Sequence, residues 1–211
     1  MPQQDAGAAH REAVDSFRGR PAATSRGEIE RAAFVLFETY GFGDTTIAMI
    51  AAELGVSPRT VTRYFPSKND IPWGAFDATL PRFHDILATT PDDLPLWARI
   101  HDGVLRFNEF PDDARPSHRA RMSLIFSTPS LQAHSVLRNA RWKAEIERFV
   151  VGQLGPEAEG SALPNVAGQV SMALATSAYE QWLASGAVAN SDLIAIMNRS
   201  MSALRDYLRE T

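Results

Sequence analysis

"GVSPRTVTRYFPSKND", residues 55–70, decides how the chain is read. It sets a glycine, a Ser–Pro pair and three cations around one short run. Ser57 is a good helix N-cap, because its side-chain oxygen can accept a free amide of the first turn. Pro58 suits the first helical position, where no amide is needed. Val56 and Val61 occupy the two positions of a hydrophobic staple, which sets the angle at which the chain enters the helix. Val61 and Phe65 then share an inward face, and Arg59, Thr60, Thr62 and Arg63 point outward. Such a segment is either an ordinary corner of a helical bundle or a helix shaped for a DNA groove.

The residues upstream bear on that choice. In "TTIAMIAAELG", Thr45 or Thr46 caps a short helix, Ile47, Ile50, Ala51 and Leu54 face inward, and Gly55 ends it. In "TSRGEIERAAFVLFETYGF", Ser25 and Glu28 form a capping box. Ile29, Ala32, Ala33, Leu36, Phe37 and Tyr40 follow at helical spacing, and Gly41 closes the segment. Residues 46–65 therefore read as helix, Gly-containing turn, helix, with an earlier helix to pack against. That is a helix-turn-helix. Its outward face holds two arginines and two threonines, with no acid between Glu53 and Asp70. Such a face can bond base edges and phosphates together.

The 211 residues are 45% hydrophobic and 22% charged, ordinary values for a globular protein. There are no cysteines, which excludes disulfides, thiolate metal sites and thiol nucleophiles. No apolar run approaches the roughly 18 residues of a membrane span. The first fifteen residues lack the apolar core of a signal peptide. The expectation is a cytoplasmic protein with no membrane partner. The net charge of −4 argues against nucleic acid, but two stretches carry only positive charge. Residues 16–27 hold Arg18, Arg20 and Arg26, and residues 54–69 hold Arg59, Arg63 and Lys68. Phosphate binding needs a local cationic surface rather than a basic whole.

Residues 1–23 read as a flexible arm, 24–67 as the helix-turn-helix domain, and 68–211 as a second helical domain. Residues 67–89 predict a helix in which Pro72 and Pro81 impose a late start, a kink or both. Further helices are expected from Leu94 to Phe110, near 116–127, and from about Ser130 to Gly152. Two more run from about Asn165 to Gly186 and, capped by Ser191, on to Glu210. No segment alternates as a strand does, so the fold class is all-α. His10, His84, His101, His118 and His134 are scattered without metal-ligand spacing. No nucleophile elbow, phosphate loop or dinucleotide fingerprint is present. No cofactor and no enzyme activity are expected.

Taken together, "YGFGDTT", "IAAELGVSPRTVTRYF" and "PSKND" resemble, in order and spacing, the TetR family of bacterial transcriptional regulators. Within it, "YFPSKNDIPWGAFD" most resembles the regulators of mycofactocin gene clusters. The resemblance implies about nine helices, the first three binding double-stranded DNA and the rest sensing a small-molecule effector and forming a homodimer. It implies a repressor relieved by that effector. By matching positions, Ser57, Pro58, Arg59, Thr60, Thr62 and Arg63 lie on the recognition helix, with Tyr64 near phosphate. Thr46 and Lys68, at the starts of the second and fourth helices, also meet phosphates. Thr62 departs from the family pattern, in which many members carry an aromatic residue. Arg18 and Arg20 could reach a neighbouring minor groove, as other helix-turn-helix arms do, or simply be solvated.

In the second domain, Val170, Leu174 and Ala178 follow helical spacing, as do Met197, Met201 and Leu204. These faces suit pairing with a second copy or packing within one subunit. Phe83, Leu87, Phe107, Phe110, Met122, Phe126, Trp142 and Tyr179 are candidate walls of an effector pocket, although most large apolar residues of a domain are plain core. A pocket of this composition favours an apolar or acyl-chain ligand. Arg115, Arg119 and Arg121 lie beside a loop where they could meet its phosphates. The mycofactocin resemblance points to an acyl-coenzyme A or similar effector. A helical module that docks a protein through its helix-turn-helix is the alternative function.

Overall fold

In the computed structural model, which describes residues 24–74 and 76–210, nine α-helices form among the described residues. They are α1 (Arg26–Tyr40), α2 (Ile47–Glu53), α3 (Pro58–Tyr64), α4 (Phe76–Ala88) and α5 (Leu96–Phe107), followed by α6 (His118–Ser127), α7 (Pro129–Leu154), α8 (Leu163–Ser185) and α9 (Asn190–Glu210). The expected arm, with Arg18 and Arg20, lies outside the described residues. No described helix is long and apolar enough to cross a membrane.

The caps explain the boundaries. The Ser25–Glu28 capping box opens α1 with both of its bonds formed. Thr46 caps α2, accepting from Met49 N, while the buried Thr45 donates back to Leu36 O and Gly41 O. Ser57 caps α3, accepting from Thr60 N at 3.1 Å. Between α2 and α3, Gly55 adopts φ 64°, a conformation that a side chain resists.

In the segment 67–89, expected as a helix with a late start, a kink or both, the α-helix does start late, and a separate 3₁₀ turn precedes it. Ser67 and Asp70 form a second capping box, and Lys68–Trp73 winds as a 3₁₀ turn with Pro72 inside it. Gly74 breaks the run at φ 53°, and α4 follows. Later, Ser191 proves not to be the cap of α9, which already begins at Asn190. Asn190 instead fixes that helix to the 108–112 loop. Its amide donates to Asp112 Oδ1 at 2.8 Å and its Nδ2 to Asn108 O at 3.1 Å. Its Oδ1 accepts from Phe110 N at 3.0 Å.

Two apolar clusters organise these elements. One centres on Ile29, Ala33, Ile50, Val61, Phe65 and Ile71, and takes Ile125 and Leu131 from α6 and α7. The other joins α4 through α9 around Phe83, Trp142, Ile146, Trp182 and Met197. Phe83 stacks on Trp142 with ring centroids 5.1 Å apart.

Lys68 joins the helix-turn-helix to the 3₁₀ turn. Its Nζ donates to Phe42 O, Gly43 O and Thr45 O at 2.5, 3.0 and 2.7 Å, and lies 4.5 Å from the Phe42 ring centroid. The ammonium thus satisfies the carbonyls of the α1–α2 loop. Burial holds its pKa below the usual lysine value. Hydrogen bonds to a charged group contribute about 1.5–3 kcal/mol. Lys68→Met should therefore lower the unfolding free energy by about that amount. Urea denaturation of both proteins measures the difference.

Candidate nucleic-acid interface and effector cavity

On α3 the burial pattern separates two faces. Val61 and Phe65 are 0% and 1% exposed. Thr46, Ser57, Pro58, Arg59, Thr62 and Arg63 are exposed, and Thr60 is half-buried. The hydroxyls of Thr46 and Ser57 cap helices, and that of Thr62 donates to Arg59 O at 3.2 Å. Arg59 and Arg63 are therefore the outward cations, with Arg63 placed 5.3 Å from the Tyr64 ring centroid.

Two residues expected near phosphate have partners within the fold. Tyr64 donates its hydroxyl to Thr24 O at 2.6 Å, and the three bonds of Lys68 fill its donor capacity. Arg26, from the other cationic stretch, bonds Tyr64 O at 2.7 Å and Gly74 O at 3.1 Å, with its guanidinium over Phe65. It ties α1 to the end of α3.

A cavity of about 880 Å³ lies beneath, bordered by α4–α8 and by residues of α1 and the 3₁₀ turn. Of the residues named as candidate pocket walls, Phe107, Phe110, Met122, Phe126, Trp142 and Tyr179 line it. Phe83 and Leu87 do not: at 0% and 1% exposed, they are core behind the wall. Arg119 is not in the wall either. It donates to Trp182 O and Leu183 O, both at 2.9 Å, where a cation suits the C-terminal end of α8. The sequence reading missed Glu30, Trp73, Asn108 and His118 as lining residues, because only chain packing brings them to one space.

Burial also sorts the expected dimer face. Ala178, Met197 and Met201 are 0% exposed within the subunit, so they have no surface to offer a second copy. Val170, Leu174 and Leu204 remain half-buried, and Leu163 and Val166 on α8 are about half exposed. No group of three or more described acidic or histidine side chains could hold a metal.

The polar end of the cavity is a hydrogen-bonded chain. Tyr179 donates its hydroxyl to Asn108 Oδ1 at 2.6 Å, and Asn108 Nδ2 donates to Val104 O at 2.8 Å. That direction leaves the Tyr179 oxygen to accept from His118 Nε2, 2.9 Å away, which assigns the tautomer as Nε2–H. The His118 ring stacks on Phe110 with centroids 3.9 Å apart. Burial raises the Tyr179 pKa well above the ordinary phenol value.

Two family models match the chain. Residues 29–71 match the family model described as bacterial regulatory proteins, tetR family, and residues 94–209 match the one described as the MftR C-terminal domain. A relative in Mycobacterium tuberculosis, described as the mycofactocin biosynthesis transcriptional regulator MftR, is 34% identical over 165 residues, covering 78% of this chain and 83% of that one. Two solved structures share the fold. FadR, the fatty acid degradation regulator from Bacillus halodurans, aligns with TM-score 0.56 and 15% identity over 87% of this chain and 96% of that one. AmtR of Mycobacterium smegmatis aligns with TM-score 0.53 and 21% identity over 88% of each chain.

Burial, and then the Arg121 cation nearby, push the His118 pKa down from 6.5 to about 3. A histidine held neutral in the folded state contributes stability that is complete above its unfolded pKa, near 6.5, and lost as pH falls toward 3. The loss should be on the order of 1 kcal/mol per pH unit. Urea midpoints measured between pH 6.5 and 4 should fall less steeply for His118→Gln than for the wild type. Parallel curves would refute the assignment.

Proposed function

The chain belongs to the TetR family of bacterial regulatory proteins, and from that premise we propose that it is a repressor of the mycofactocin type, binding a palindromic operator as a homodimer and released by a small apolar or acyl-coenzyme A-like effector. The observation that carries this reading is the two-sided α3, whose core face is fully buried while Arg59 and Arg63 stand exposed on the other. A helix anchored in this way can enter a major groove without losing its place in the fold.

One such helix touches few bases. Two in a two-fold dimer, about 34–36 Å apart, read a palindrome. We assign the pairing to the outer side of α8, where Leu163, Val166, Val170 and Leu174 recur at helical spacing with surface to spare, together with Leu204 of α9. The apolar cavity supports an effector with a hydrocarbon body, and the likeness to MftR supports the mycofactocin link. Residues 24–67 are then the DNA-reading domain and 68–211 the sensing and dimerising domain.

Selection of binding sites from random duplex DNA at about 0.15 M salt, where nonspecific attraction is largely screened, tests this reading. A two-fold palindrome is expected, and failure to enrich any site would overturn the reading in favour of a protein-docking module. Against the selected duplex, Arg59→Ala or Arg63→Ala should weaken binding by about 1–3 kcal/mol where the arginine pairs a guanine, and relax preference at that base. Fluorescence anisotropy with the site and its single-base variants reads both effects.

A further inference from the structure

We infer that the polar end of the cavity selects an uncharged ligand carrying a hydrogen-bond donor, a hydroxyl or an N–H, and that His118 Nδ1 is the acceptor that reads it. This rests on the reading of the cavity as the effector site, and it names the polar group that the effector presents there.

The acceptor is fixed by a chain of bonds that begins at the backbone. Asn108 Nδ2 donates to Val104 O at 2.8 Å, so the amide has one orientation and its Oδ1 faces Tyr179. The Tyr179 hydroxyl gives its one proton to that oxygen, at 2.6 Å, and can only accept from the imidazole. His118 therefore holds its proton on Nε2, 2.9 Å from the Tyr179 oxygen, and Nδ1 is left with a bare lone pair. Burial and the Arg121 cation keep the ring neutral, with a pKa of about 3. No described group bonds Nδ1, and packing does not close it off as it closes off His101 Nε2. His118 borders the cavity. The Phe110 and Trp182 rings, with centroids 3.9 and 6.2 Å away and planes within 20° and 25°, hold the imidazole plane. The direction of the lone pair is thus set before a ligand arrives.

The charge of the ligand follows from the rest of the wall. Among the described lining residues the charged side chains are Glu30, Arg121 and Glu180. Glu30 and Arg121 neutralise each other at 2.6 Å, and Arg121 also donates to Ile71 O and Pro72 O. Glu180 is exposed. This wall holds no spare cation for an anion, and the Nδ1 lone pair repels a carboxylate oxygen. An ammonium would satisfy Nδ1 but lose its water for a site without an enclosed counter-charge. An ether oxygen brings an acceptor to an acceptor. A hydroxyl joins the chain as its next donor, while an apolar body lies along Phe107, Met122, Phe126 and Trp142.

Isothermal titration of the full chain with three probes of equal heavy-atom count tests this: para-heptylphenol, its isomer para-hexylanisole, and para-pentylbenzoate. The phenol should bind about fivefold tighter than the anisole, the effect of one neutral hydrogen bond, and tighter than the benzoate. His118→Phe keeps a ring against Phe110 without the acceptor, and should bring phenol and anisole to equal affinity. Tyr179→Phe removes the oxygen that fixes the tautomer. The imidazole can then turn an Nδ1–H toward a ligand, so the preference should shrink through a gain for the anisole. Nitrogen NMR of the histidine-labelled chain needs no variant. It should find the His118 proton on Nε2 and an Nδ1 resonance that moves on addition of the phenol but not of the anisole. Equal binding of phenol and anisole, tighter binding of the benzoate, a preference unchanged in both variants, or a proton on Nδ1 would overturn the inference and leave the cavity as an effector site. No binding of any probe would overturn both. Operator selection needs no ligand, so its outcome is separate.

Discussion

Glu30 and Arg121 meet at 2.6 Å across 91 residues of chain, in a place where both side chains are largely enclosed. Arg121 is further committed to the carbonyls of Ile71 and Pro72, so a single guanidinium grips α1 and the 3₁₀ turn together. Removing one member of a buried ion pair generally costs about 3–5 kcal/mol, because the other is left uncompensated. The orientation of the helix-turn-helix against α6 depends on this contact.

A second ionic cluster works beside it. Asp70 accepts from His134 Nε2 at 2.9 Å and from Arg138 at 2.8 Å, while closing the Ser67 capping box. Burial opposes its ionisation, but the bonds from Arg138, His134 and Ser67 outweigh that and hold its pKa at about 2. The 3₁₀ turn is thus gripped from α6 by Arg121 and from α7 by Arg138 and His134. Apolar contact supplements the charges, since Ile125 and Leu131 enter the core of the first three helices. The joint between the two halves is therefore specific in direction, and a change at Arg121 is felt by the whole turn.

The cavity and the core are built from the same kinds of residue, and only geometry separates them. Phe83 and Trp142 stack on each other, yet Trp142 reaches the cavity and Phe83 does not. The polar groups of the wall lie at two places with different consequences. At one, His118, Tyr179 and Asn108 satisfy one another in a chain that also steadies the start of α9 through Asn190. At the other, Glu30 and Arg121 form a charged pair. A fully satisfied polar network rigidifies the part of the wall it occupies.

Local chemistry was enough to read α1 to α3. Capping at Ser25, Thr46 and Ser57, the turn at Gly55 and the inward Val61 and Phe65 all involve residues within a few positions of one another, so the helix-turn-helix and its outward arginines were legible in the chain. The all-α class followed from helical spacing for the same reason. The start of the 3₁₀ turn at Lys68 also had a local sign, the Ser67–Asp70 box in "PSKND", whereas the break at Gly74 was not read. The roles of Lys68, Tyr64 and Arg119 could not be read in this way, because their partners lie 23 to 64 residues away. The same holds for Met197 and Met201, whose spacing marks an apolar face without saying what covers it. Spacing along one helix establishes which residues share a side. Which of them meets solvent, core, cavity or a distant charge is decided only when the other helices close around it, because burial and electrostatic pairing are properties of space rather than of chain order.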